Sequence, residues 1–496
     1  MPVNLGIFEK LPHKFRVLRK ESEKVMNTLK KPHVPLYKEL SDELKSGILA
    51  GRLLPGTKLP SKRAMAEEKR LSVITVSGAY ELLISEGFVE SFERRGYFVA
   101  KELPVRSPPD TRQSPAITQK PKQNVRYDFT SSSVTEGFPF YTWAKLVRLT
   151  LSEKDVKLLA PIDTKGVFEL RAEISKHLAA FRGIVCSPEQ IIIGAGSEYL
   201  VGLIYQLLGK GNCAVEDPGF MKPARVYAGL GAGLSFIPVD KEGVSVDFMK
   251  KDPSIRIAHV TPSHSFPLGT VMSVRRRSEL LRWRQSEPER FIVEDDFDSE
   301  FRYDGRCPPS LFSLSENMER ENGGVVYMNT FTRTLAPSMR IGYAVLPEAL
   351  AQKYERELSF YSSTVPAIEQ YVLAKFMSDG SFDRHINRMR KIYRGRRDAL
   401  TESLRLIKGI SVLGEEAGVH LLVKLPEKLH ESAVVETAAS LGIALSGIEN
   451  YRRSGARPHA PLFSNALVMS FAGIDEQDIR ASISLLADKL AALPDA

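Results

Sequence analysis

The sequence predicts a multidomain protein: three short helices and a two-stranded β wing, a linker, and then a large α/β domain built on a mainly parallel sheet. Three observations predict it. Residues 35–103 show helical apolar periodicity three times and then two short β runs. Residues 104–126 lose almost every large apolar side chain, and beyond Tyr127 strand-like runs alternate with helical stretches. A length of 496 residues also exceeds what one ordinary core organises. The hydrophobic share of 43% and charged share of 26% match folded globular chains and exclude disordered and fibrous classes.

Each element has a local reason. Leu36, Leu40, Leu44 and Ile48 recur every four residues, which predicts an amphipathic helix ended near Gly51. Pro55 and Gly56 make a turn, and Ser61 is placed to cap a second helix running to about Arg70. In the third helix Val76, Tyr80, Leu83 and Ile84 form the expected buried stripe. Ile74, Thr75, Ser77 and Gly78 then fall on another face near its start, available to a major groove. The run F-V-E-S-F-E-R-R-G-Y-F-V-A predicts a wing whose tip carries Arg94, Arg95 and Gly96. From Pro104 to about Gln123 the chain is Pro, Ser, Thr, Gln and Lys, a linker composition. The strand runs that follow are 191–193, 214–216, 257–261, 291–294 and 325–328.

The net charge of +9 is unevenly placed. Residues 1–126 hold 24 Lys and Arg against 14 Asp and Glu, so the remainder is close to neutral. Localised basic charge is the footprint expected of a duplex-DNA reader. Residues 1–34, with Lys14, Arg16, Arg19, Lys20 and Lys24, form a basic extension to which no function is assigned. Cys186, Cys213 and Cys307 are widely spaced, which argues against disulfides and zinc and for a reducing, cytoplasmic setting. Apolar runs such as Tyr199 to Leu208 are too short for a bilayer, and no signal-type core opens the chain, so no membrane partner is expected.

The stretch from P-L-Y-K-E-L to Y-F-V-A, with L-P-S-K-R and the wing R-G-Y-F-V, resembles the GntR-type winged helix-turn-helix. G-A-G-S-E-Y, V-E-D-P-G-F, T-P-S-H-S-F-P-L-G, V-E-D-D-F-D-S-E-F and N-T-F-T-R-T-L-A-P-S-M-R-I-G-Y follow in order. From residue 35 to about 490 the chain therefore resembles the MocR-type regulators, in which a GntR-type reader is fused to a fold-type I aminotransferase-like domain, here 127–496. The resemblance implies that Ser61, Lys62, Arg63, Arg94, Arg95 and Gly96 meet DNA, mostly its phosphates, with Thr75 and Ser77 facing the groove. One departure stands in the third helix. Where the family commonly has S-R-x-T-V, this chain has S-V-I-T-V, and Val73 cannot make the bidentate guanine contact worth about 1–3 kcal/mol.

In that family the large domain holds pyridoxal phosphate. The turn before the helix at Ser197 would direct the backbone N–H groups of Gly196, Ser197 and Glu198 at an anion. By the resemblance Asp295 faces the pyridine nitrogen, and Thr330, Thr332 and Arg340 face the phosphate. Phe220 is assigned either stacking on the ring or apolar packing, and His264 either a place near the ring face or a structural role. At position 333 the family's T-F-S-K-x-L-x-P carries the lysine that bonds the cofactor covalently, and this chain has Arg333. A guanidinium stays protonated and cannot act as that amine nucleophile. Phe297 and Ser265 also replace a usual Tyr and Gln.

The leading expectation is a DNA-binding transcriptional regulator. Its large domain senses a small-molecule effector, forms the homodimer, often head-to-tail in the family, and binds pyridoxal phosphate non-covalently if at all. The alternatives are an active pyridoxal-phosphate aminotransferase with an accessory DNA-binding domain, which Arg333 opposes, and an architectural DNA-binding protein.

Overall fold

The computed structural model describes residues 35–102, 125–131, 137–152, 156–318, 323–453 and 463–491. The expected basic extension and nearly all of the expected linker lie outside the described residues. The chain divides into two compact units, one ending at Lys120 and one beginning at Pro121.

In the first unit, helices α1 (Leu36–Leu49), α2 (Lys62–Lys69) and α3 (Val73–Ser85) precede the antiparallel strands β1 (Val89–Phe92) and β2 (Gly96–Val99). Ser61 and Ser72 cap α2 and α3 by accepting the backbone N–H groups of Ala64 and Thr75 at 3.2 and 3.0 Å. Leu40, Leu44, Ile48, Met65, Val76, Ala79, Tyr80 and Leu83 form the core with Phe88 and Val99 from the wing. The Tyr80 hydroxyl donates to the Pro60 carbonyl at 2.9 Å, tying α3 to the turn before α2. Two expected core positions are corrected. Leu36, in the first turn of α1, is 49% exposed, and Ile84 is 36% exposed while Ala79 is fully buried in the stripe with Val76, Tyr80 and Leu83.

In the second unit, β3 (Tyr127–Asp128) precedes α4 (Phe140–Ser152) and α5 (Phe168–Arg182). The central sheet is built from β4 (Ile191–Gly194), β5 (Asn212–Asp217), β6 (Leu234–Asp240), β7 (Gly243–Val244), β8 (Ile255–Val260), β9 (Phe291–Asp295), β10 (Val325–Thr330) and β11 (Gly342–Val345). Its order is β4-β11-β10-β9-β8-β5-β6-β7, parallel except for β11 and β7. Every residue of β4, β9 from Ile292, β10 and β11 is buried, as a sheet covered on both faces requires. Every strand run expected from the sequence falls in this sheet, except that the run 257–261 ends at Val260. Helix α6 (Ser197–Leu208) follows β4 directly, and α7 (Ser381–Arg405) leads to β12 (Ser411–Leu413) and β13 (His420–Lys424). Next come β14 (Ile443–Ala444), β15 (Ser446–Gly447) and β16 (Ala466–Ser470). β12-β13-β16-β15 form a second, antiparallel sheet, and β14 pairs in parallel with β3.

Candidate functional site

The parallel strands end at one edge, and the loops beyond Gly194, Asp217, Val260, Asp295 and Thr330 carry nearly all the expected cofactor-side residues. Ligands in open α/β sheets bind at this edge because the loops there diverge and leave a crevice. The crevice is about 400 Å³, and Ser197, Glu198, Phe220, Asp295, Phe297, Thr330, Thr332, Arg333 and Arg340 all line it. Sequence reasoning missed Thr130, Lys222, Phe266, Pro337 and Tyr451. Thr130 and Tyr451 come from chain segments distant in sequence, and no local pattern announces them. Lys222, two residues after Phe220, was within reach of the same motif.

Asp295 ends β9 and is 4% exposed. Its Oδ2 lies 3.5 Å from His259 Nε2, and the Tyr227 hydroxyl meets His259 Nδ1 at 3.0 Å, so the carboxylate is backed from within the sheet. Among the described residues its Oδ1 has no hydrogen-bond partner. A buried acceptor of this kind is costly to leave unpaired and suits a ligand N–H. Beside it, Asp296 accepts from Arg182 Nε and the Tyr327 hydroxyl, both at 2.8 Å, which anchors the loop to α5 and β10.

At the other end of the cleft, Gly196 has φ +89° and precedes α6. A Cβ there would lie 2.5 Å from Arg340 Nη2, so only glycine allows this approach. One expectation is corrected here: the Gly196 N–H already donates to the Gly194 carbonyl at 2.8 Å and the Glu198 N–H is taken by its own carboxylate, which leaves Ser197 of the three to offer an N–H. The Glu198 carboxylate accepts from Arg340 Nη2 at 2.5 Å and from Lys222 Nζ at 3.1 Å. Burial opposes its charge, but these bonds and its own backbone N–H outweigh burial and pull the carboxyl down to about 2. An internal anion thus occupies the corner where the sequence expects a phosphate.

Arg333 lines the floor, partly exposed to the cleft and otherwise closely surrounded by protein. Burial pushes its pKa below the ordinary value, while Asp298 foremost, then Tyr393 and Asp295, favour its charge. Its guanidinium carbon lies 6.0 Å from the Phe297 ring centroid. A side cavity of about 30 Å³ runs from Arg333 to His420. His264 does not line the main cleft. It is buried with Nδ1 2.9 Å from Asp298 Oδ2 and its ring 4.5 Å from that of His420, because Gly418 leaves room that any Cβ would close. His264, Asp298 and His420 have ligand atoms within 4.8 Å of one another. Burial foremost, then His264 and Arg333, push the pKa of His420 well below the ordinary value, and Asp298 faces both His264 and Arg333.

In the first unit Arg63, Arg94 and Arg95 are exposed, and Arg94 (φ +60°) and Gly96 (φ +100°) shape the wing turn. Lys62 is turned inward: its Nζ donates to Ser77 Oγ at 2.7 Å and lies 5.5 Å from the Tyr97 ring centroid. Ser77 is further bonded to Glu81, and Ser77 and Gly78 are both part-buried. The charge is also redistributed. Residues 35–102 hold 11 Lys and Arg against 10 Asp and Glu, so the basic excess belongs to residues 1–34 and 103–126.

Residues 140–485 match the family described as aminotransferase class I and II, and residues 36–99 match the bacterial regulatory proteins of the gntR family. The chain is 35% identical over 461 residues to the uncharacterized HTH-type transcriptional regulator YdeL of Bacillus subtilis, covering 91% of this chain and 96% of the other. It is 31% identical to the probable rhizopine catabolism regulatory protein MocR of Rhizobium meliloti, with 93% and 94% covered. Its fold is similar to that of the multiple substrate aminotransferase from Thermococcus profundus, with a TM-score of 0.63, 26% identity, and 75% and 92% of the two chains covered.

Proposed function

The chain belongs to the family of HTH-type transcriptional regulators that join a gntR-family DNA-binding domain to an aminotransferase class I and II domain, and from that premise we propose that its large domain is a non-catalytic, non-covalent sensor. The observation that carries this reading is the floor of the cleft. Among the described residues the ring-side acceptor Asp295 keeps an unpaired Oδ1, yet Arg333 stands where the resemblance expects the bonding lysine. Lys222 lines the rim, and its Nζ is held by Glu198.

The residues present fit pyridoxal or pyridoxamine phosphate. Asp295 Oδ1 would accept a hydrogen bond from the protonated ring nitrogen, Phe220 would flank the ring, and Ser197, Thr330, Thr332 and Arg340 would surround the phosphate. When bound by enzymes, this cofactor supplies an electron sink. Here Arg333 offers a planar fork of donors suited to a ligand carboxylate or phosphate, and it holds its proton throughout. A sensor that cannot turn its ligand over reports concentration rather than flux. The ligand-bound domain then alters how two DNA readers in a homodimer engage two half-sites.

Calorimetry of the full-length chain with pyridoxamine phosphate, and with pyridoxal phosphate followed by borohydride and peptide mapping, tests the proposal. Saturable binding is expected, with no phosphopyridoxyl group on the unmodified chain and one at position 333 in the Arg333→Lys variant. A phosphopyridoxyl lysine in the unmodified chain, or turnover of an amino acid with a keto acid, would refute it.

A further inference from the structure

The start of α3 exposes two adjacent aliphatic side chains. Ile74 is 85% exposed and Val73 is 45% exposed. Both lie in the first turn, fixed there by the Ser72 cap. Isolated exposed aliphatics are ordinary on protein surfaces. What distinguishes this pair is the company it keeps. In helix-turn-helix domains the N-terminal residues of this helix meet the base edges, and here the polar groups nearby are already engaged. Ser72 Oγ and Thr75 Oγ1 lie 2.7 Å apart, and the Thr75 N–H donates to Ser72. Ser77 is held by Lys62 and Glu81. No Arg, Lys, Asn or Gln stands in residues 72–80 to read a base bidentately. The Lys62–Ser77 bond ties the start of α2 to α3, and Arg63, the next residue, is exposed for phosphates that would flank the groove.

An aliphatic side chain in the major groove finds one base-edge feature of its own chemistry, the C5 methyl of thymine. We propose that Ile74, with Val73 beside it, reads thymine methyls, so that each operator half-site carries an A·T pair where α3 enters the groove. This rests on the DNA-binding reading and adds to it the identity of the base read and the residue that reads it.

The test uses the full-length chain and a random duplex library. Sites selected in vitro should share a thymine in each half-site. Replacing that thymidine by deoxyuridine deletes only the methyl and should weaken binding about fourfold per methyl. Ile74→Ala should bind the two duplexes equally while melting like the parent chain, since its side chain lies outside the core. Equal binding of thymine and uracil duplexes by the parent chain, selected sites without a shared thymine, or undiminished discrimination by Ile74→Ala would each overturn the inference while leaving DNA binding intact. Absence of binding to any duplex at low salt would overturn the underlying reading as well.

Discussion

Glu198 holds the corner of the cleft where the helix N-terminus, Arg340 and Lys222 converge, and its ionised carboxylate competes with any anion that enters. Replacing Glu198 by Gln should therefore tighten pyridoxamine phosphate binding, by about three- to tenfold since the groups are partly exposed and screened; weaker or unchanged binding in calorimetry would count against the competition. Glu300 shows the opposite electrostatics. Full burial, and then the charge of Asp296, raise its pKa to about 8, with a bond from Asn329 only partly offsetting them. Its protonated form is favoured in the fold, so the folded state binds the extra proton between the unfolded value of 4.5 and about 8. The large unit should lose stability as pH rises through that window and level off above it. Denaturant titrations across pH should show a shallower decline for Glu300→Gln.

At the scale of elements, the wing and α2 present arginine while α3 presents aliphatics. If the arginines meet phosphates and the aliphatics meet bases, this division separates affinity from sequence choice. Arg63→Ala and Arg94→Ala should each weaken binding to all duplexes alike and reduce the salt slope by about one. Mobility shifts at several salt concentrations measure both quantities. A loss confined to one sequence would show that these arginines read bases. The cleft follows the same logic of division: β9 supplies the ring-side acceptor, α6 the anion corner, and β10 with its following loop the floor. Asp295 and Thr330 are held at the ends of buried strands and Ser197 and Glu198 at the start of a helix, where backbone geometry is least free to vary.

For the whole molecule, large exposed apolar side chains concentrate early in the second unit, where Phe140, Tyr141, Val156 and Leu159 are 70–85% exposed. Such surface suits a homodimer contact. Light scattering on the full-length chain should give a dimer, shifted toward monomer by Tyr141→Ser combined with Leu159→Ser. A strictly monomeric parent chain at micromolar concentration would rule the dimer out. DNA binding should also weaken steeply with salt, with much of the slope contributed by residues 1–34 and 103–126, because the described winged unit carries almost no net charge.

The sequence by itself determined the helices and wing of the first unit, five buried strands of the second, and nine residues that meet in one cleft. Apolar periodicity and cap residues act over a few positions and can be read locally, as at Ser61 and at β4. Four relationships waited for the tertiary structure. Leu234–Asp240 became a strand beside Asn212–Asp217 and Gly243–Val244, and Gly342–Val345 became one between Val325–Thr330 and the distant Ile191–Gly194. Lys62 turned inward because Ser77 and Tyr97 offered a partner and a ring. His264 left the cleft for Asp298 and His420, and Glu198 became the resident anion only when Arg340, 142 residues away, arrived beside it. The physical reason is common to all: hydrogen bonds and charges act over a few ångströms in space, and only the folded chain decides which residues stand that close.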